Sequence, residues 1–144
     1  MFPARRFGRS HVAIVASALC LSLSPAWAQF STSGANYVYP ASAPVPNGPG
    51  NADLGNVGLS IGQGASGSFS AISGSTLRVG NLSVGDGGTG SGSVVFDGLG
   101  TKVFVIGDGF SQGVINRLQV GNWGKGSLTV SGGALLSTRT ETAP

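Results

Sequence analysis

From Leu59 onward the chain alternates apolar residues with small or polar ones over runs of three to five residues, and each run stops at a glycine. Leu59-Ser-Ile61-Gly62-Gln63, Leu77-Arg-Val79-Gly80-Asn81, Leu82-Ser-Val84-Gly85-Asp86 and Leu118-Gln-Val120-Gly121-Asn122 share one pattern: apolar, any residue, β-branched, glycine, amide or acid. Val105-Ile106-Gly107-Asp108 is a fifth, imperfect copy, and Val94-x-Phe96, Val103-x-Val105 and Leu128-x-Val130 run between the copies with the same period of two. A period of two sends alternate side chains to opposite faces, so each run reads as a short strand with one buried face. Strands this short need neighbours to be stable. Gly followed by Gln, Asn or Asp ends them, because these residues accept left-handed backbone angles and hydrogen-bond within their own turn.

Spacing bears on how the strands associate. Ile61 to Val84 is 23 residues and Val84 to Ile106 is 22, periods that suit one coil of a solenoid in which each turn of chain pairs with the one below. Ile106 to Val120 is only 14, so Gly109 to Asn116 is expected to be a loop outside the repeat. In a parallel stack Ile61, Val79, Val84, Val94, Phe96, Val103, Val105, Val120, Leu128 and Val130 would form apolar columns. The polar residues after each glycine would then form a ladder along one corner. Turn signals at this frequency also fit a small antiparallel sandwich, which stays open as the alternative on periodicity alone.

The first 56 residues differ in kind. Arg5, Arg6 and Arg9 precede an unbroken apolar run from Val12 to Leu23, and Ala26-Trp27-Ala28 then supplies the small-x-small pattern of signal peptidase cleavage. Residues 1–28 therefore read as a secretory signal, cut between Ala28 and Gln29. The 12-residue apolar run is too short for a membrane span of about 20 residues. Leu19 before Cys20, where lipoprotein processing wants a small residue, argues against lipidation. Residues 29–56 carry Pro40, Pro44, Pro46 and Pro49 among Ala, Ser, Gly and Asn, and read as a linker. Tyr37 and Tyr39 lie in it on a short alternating stretch that could fold over the end of the strands.

Composition agrees with short strands and tight turns. The 144 residues include 26 glycines and only 13 charged residues, 8 basic and 5 acidic, which is too much glycine and too little charge for a helical protein. The net charge of +3 belongs to the signal. After its removal Arg78, Lys102, Arg117, Lys125 and Arg139 balance Asp53, Asp86, Asp97, Asp108 and Glu141, so no basic surface for nucleic acid is expected. The mature chain also has no cysteine, histidine or methionine, which leaves its stability to hydrogen bonds and close contacts.

Val120-Gly-Asn-Trp-Gly-Lys-Gly-Ser-Leu-Thr-Val-Ser-Gly-Gly-Ala-Leu136 resembles the repeat of bacterial type V secretion (autotransporter) passenger proteins and of some PEP-CTERM-associated surface proteins. Gly92 to Val103 is similar to the alternate half of that repeat, and Leu59 to Gly74 is a weaker copy. The second copy carries an extra pair of residues around Gly90-Ser91-Gly92. The resemblance covers residues 57–138 and implies an all-β fold, a right-handed parallel β-helix of a few short coils. It implies export to the cell surface, the outer membrane or the medium, or retention in the periplasm if the chain stops at Pro144. It also implies a structural or adhesive role, toward a host surface, a neighbouring cell or a polysaccharide. A translocator barrel, through which alone such a chain would meet the outer membrane, is missing after Ser137, and residues 139–144 read as a polar tail. The expectation is the N-terminal fragment of a longer passenger.

The chemistry available is narrow. Without histidine or cysteine the mature chain cannot build the usual nucleophile–base pairs or a histidine metal site, so no catalytic residue, metal or cofactor is assigned. Asp86, Asp97 and Asp108 recur every 11 residues, but each precedes a glycine where turns favour aspartate. A periplasmic or secreted polysaccharide-acting β-helix enzyme is the alternative function. Trp123 and Lys125, in a predicted turn, are the candidate ligand contacts, since an indole can stack on a sugar or a partner surface.

Overall fold

The computed structural model describes residues 27–39, 43–107 and 118–138, and within them the chain is all-β, with no helix. Its strands are β1 (Gln29–Gly34), β2 (Asn36–Tyr39), β3 (Gly48–Pro49), β4 (Ala52–Asp53), β5 (Gly58–Ile61), β6 (Ser66–Ile72), β7 (Thr76–Val79), β8 (Asn81–Val84), β9 (Ser91–Asp97), β10 (Lys102–Val105), β11 (Leu118–Val120), β12 (Lys125–Ser131) and β13 (Leu135–Thr138). They form three sheets: sheet I in the order β12-β9-β6-β1-β3, sheet II in the order β11-β8-β5-β2, and sheet III in the order β13-β10-β7-β4. From β5 the chain visits sheets II, I and III in turn, three times over. Each strand of a later circuit pairs in parallel with its counterpart in the one before. Parallel pairing throughout this region excludes the antiparallel sandwich.

Alternation explains which side chains meet. Leu59 stands opposite Leu82 and Leu82 opposite Leu118; Phe69, Val94 and Leu128 form a second such column, and Leu77, Val103 and Leu136 a third. In the first two circuits these residues, with Ile61, Val79, Val84, Phe96 and Val105, are fully buried. Between them the three sheets enclose one apolar core. The third circuit departs from the expected columns. Val120 and Val130 are 45% and 42% exposed and Leu128 is half-buried, because no strand among the described residues lies on their far side.

Two sequence expectations need correction. The 22-residue step from Val84 to Ile106 is not a coil: Val105, not Ile106, pairs with Val79 in sheet III, and the partner of Val84 is Val120. Two adjacent apolar residues at 105 and 106 let the pattern slip by one. Nor are residues 29–56 a free linker. β1 lies antiparallel on β6 and β2 antiparallel on β5, which puts Phe30 and Val38 into the core, with the Phe30 and Phe69 rings stacked at 5.8 Å. This segment caps the first circuit. The prolines do not prevent it, since Pro49 sits on the outermost strand of sheet I, where a missing N–H is tolerated. Ala28 precedes β1, while residues 1–26 of the signal, the Gly109–Asn116 loop, Asp108 and residues 139–144 lie outside the described residues.

The extra residue pair of the second copy is absorbed at a corner. Between β8 and β9 the chain uses residues 85–90, against 62–65 and 121–124 at the equivalent corners, yet Ser66, Ser91 and Lys125 stay in register. What fixes the corner is glycine on both of its sides. Gly85 turns the chain at φ 71°, and Gly92, the first inward position of the next strand, lies so close that an added Cβ would overlap Gly85 N and Ile61 O. Gly88, in the same corner, has no atom closer than 4.0 Å to such a Cβ. Gly92→Ala is expected to cost about 3 kcal/mol or more, while Gly88→Ala holds or gains up to about 1 kcal/mol, both read by urea unfolding.

Candidate functional site

The corner from sheet II to sheet I recurs three times in the same form. Each opens with a glycine (Gly62, Gly85, Gly121), continues with an amide or acid (Gln63, Asp86, Asn122), and then places a residue in left-handed backbone. That third seat holds Gly64 at φ 70°, Gly87 at φ 82° and Trp123 at φ 62°. Hydrogen bonds stack the corners: Gly64 N–H donates to Asp86 O at 3.0 Å, and Gly87 N–H donates to Asn122 O at 3.1 Å. Side chains extend the ladder. Asn122 Nδ2 donates to Asp86 Oδ1 at 3.0 Å, and Thr89 Oγ1 donates to Gly64 O at 2.8 Å.

Trp123 stands out at its seat. A non-glycine residue held at positive φ typically costs on the order of 1–3 kcal/mol. Its indole is 83% exposed, so burial does not offset that cost. Lys125, two residues on, is exposed at the start of β12, where its N–H donates to Gly90 O at 2.9 Å. Both sequence-predicted contact residues thus lie on the rim of one corner.

Beside this corner, the outer face of sheet II holds a groove of about 380 Å³. Register builds it. Tyr37, Ser60, Ser83 and Gln119 form one row across β2, β5, β8 and β11, and Tyr39, Gly58 and Asn81 form a second. Gln63 and Asp86, from the stacked corners, complete the lining. Because Val38 points into the core, its neighbours Tyr37 and Tyr39 point outward, and they are 52% and 80% exposed. The stretch does lie over the first circuit, held there by Val38, while the two tyrosine side chains stand on the outer face of the sheet. The Asn36-Tyr37-Val38-Tyr39 alternation carried that signal, but only once Val38 is known to be buried.

Of the three evenly spaced aspartates, the two that lie among the described residues do not converge. Asp86 precedes β9 and Asp97 ends it, so about 20 Å of extended chain separates them, well beyond the roughly 5–9.5 Å between the paired carboxylates of glycosidases. Asp97 Oδ1 instead accepts a hydrogen bond from Ser131 Oγ at 2.6 Å, tying the second circuit to the third. Among the described residues no three acidic, histidine or cysteine side chains group as metal ligands.

Compared with protein-family models, with curated proteins and with solved structures, the chain matches none of them. Two substitutions separate strain from support at the corner. Trp123→Gly is expected to hold or raise stability by up to about 1 kcal/mol, and Asp86→Ala to lower it by about 1 kcal/mol, both in urea unfolding.

Proposed function

We propose that this chain is the N-terminal part of an autotransporter-like passenger: an exported, non-catalytic, right-handed parallel β-helix with a structural or adhesive role at the cell surface. The observation that carries this reading is the contrast between the two ends of the stack. At the first circuit, antiparallel β1 and β2 cover the core and halt the parallel series in sheets I and II, while in sheet III only the two-residue β4 continues it. At the third, Val120 and Val130 are exposed where their register partners Val84 and Phe96 are fully buried, and among the described residues no strand pairs with the outer edges of β11, β12 and β13. An apolar end with open strand edges is a seat for a further coil of the same pattern. Handedness follows from chirality, since a crossover between parallel strands of one sheet is right-handed in nearly all proteins.

Other features fit the same reading. Ser68, Ser70, Ser93, Ser127 and Thr129 occupy outward positions of sheet I beside Val95, a hydroxyl-rich face with charge only at its two ends, at Lys125 and Asp97. The secretory signal read in residues 1–28 supplies the route out of the cytoplasm. Two measurements together test the proposal: the reading frame downstream of Pro144, and protease treatment of intact cells carrying the whole gene. Further coils followed by a translocator barrel are expected, with an epitope in β6 to β10 removed by external protease. An unrelated downstream sequence, or a chain protected inside the cell envelope, would overturn the passenger reading.

A further inference from the structure

We propose that the groove on the outer face of sheet II binds a neutral oligosaccharide, with Tyr37 and Tyr39 as stacking surfaces and Gln63, Asp86 and Gln119 as hydrogen-bonding groups. The inference deepens the adhesive reading and rests on it for the exposure of this face to the outside. Its chemistry is in the groove itself. Two aromatic residues stand on one face of a single strand, at backbone positions about 7 Å apart, and neither contributes to the core. An exposed tyrosine offers a flat apolar surface with a polar tip, which suits the C–H face of a sugar and its hydroxyls.

The floor supplies the rest. Amide, hydroxyl and carboxylate groups line it, and among the described residues no lysine or arginine does. The one charge, Asp86, is engaged by the Asn122 amide, which leaves its other oxygen to accept from a ligand hydroxyl. Ser60 Oγ, in the row of Tyr37, is buried and has no hydrogen-bond partner. The row from Tyr37 to Gln119 crosses three strand spacings, about 14 Å, longer than one sugar ring. A volume of about 380 Å³ falls in the usual range for small-ligand sites, roughly 300–1,000 Å³.

Gly58 is the informative position. It lies opposite Tyr39 at ordinary negative φ, and a Cβ there would meet nothing closer than Asn81 Cβ at 3.8 Å. The backbone does not require glycine, and glycine weakens a strand interior. What its missing side chain does is keep the flank of Tyr39 open. A bound peptide is a poorer match, because strand addition needs unpaired main-chain groups, and β5 and β8, which make up the floor, are paired on both sides.

The test uses the purified full chain and saturation-transfer NMR with cellotetraose, chitotetraose and mannotetraose as neutral probes and tetragalacturonate as the anionic comparator. At least one neutral tetrasaccharide is expected to bind. Tyr39→Ala, which removes an exposed ring, and Gly58→Leu, which fills the groove while keeping both rings, should each weaken that binding at least about fivefold. Both variants should keep the wild-type circular dichroism spectrum, and Leu99→Ala, in the turn between β9 and β10, should bind as wild type. Failure of all three neutral probes, equal binding of tetragalacturonate, or binding unchanged in well-folded Tyr39→Ala and Gly58→Leu would overturn the proposal. The two readings fail separately. Binding by a chain that is never displayed outside the cell sinks the adhesive role and spares the groove, whereas display without binding sinks the groove alone.

Discussion

The whole stack depends on how closely the chain can approach itself where sheet II meets sheet I. Gly67, Gly92 and Gly126 occupy the same inward position in β6, β9 and β12, and a Cβ at any of them would collide with the corner backbone. Leaving that column empty lets the corner amides bond along the stack: Gly85 N–H donates to Ile61 O and Gly121 N–H donates to Val84 O, each at 2.8 Å. These bonds continue the ladder of sheet II around the bend. A single side chain in the column would push two sheets apart and break the register on which the apolar columns depend.

Once the corners are fixed, the energetics become nearly one-dimensional. Each circuit buries its inward residues against the other sheets of the same circuit and against the circuits above and below, so its stability is set by its nearest neighbours. The middle circuit has both, and Val84, Val94, Phe96 and Val105 are fully buried. The first circuit has the antiparallel cap below it in sheets I and II and the short parallel β4 in sheet III, and the third has no further strand above it among the described residues. Surface charge adds little: the Arg78–Asp53 pair, at 3.3 Å with Asp53 exposed and Arg78 half-buried, is of the kind that contributes at most about 1 kcal/mol.

Much of this was legible in the residues, for local reasons. Strands such as Leu82-Ser-Val84 and Leu118-Gln-Val120 declare themselves by alternation, and Gly85 and Gly121 mark where they end. Direction of pairing was less legible, because short strands at these spacings satisfy a stack and a sandwich alike. The cap was missed because four prolines dominate residues 29–56, while its inward face rests on only Phe30 and Val38. The groove was not legible at all. Tyr37 and Gln119 share a row only through the pairing of four strands, and the common seat of Gly64, Gly87 and Trp123 likewise appears only when the corners are superposed.

Parallel stacking also sets an exchange between reach and rigidity. The step from Phe69 to its partner Val94 takes 25 residues, which would span roughly 80 Å if drawn out straight, yet in the stack it advances the molecule by one strand spacing, about 4.8 Å. A protein built this way gains height slowly, and each step holds the outward side chains at a fixed level and bearing. Distance from an attachment point would be counted in coils, so inserting or deleting one whole coil would move everything above it by a set amount without disturbing what lies below.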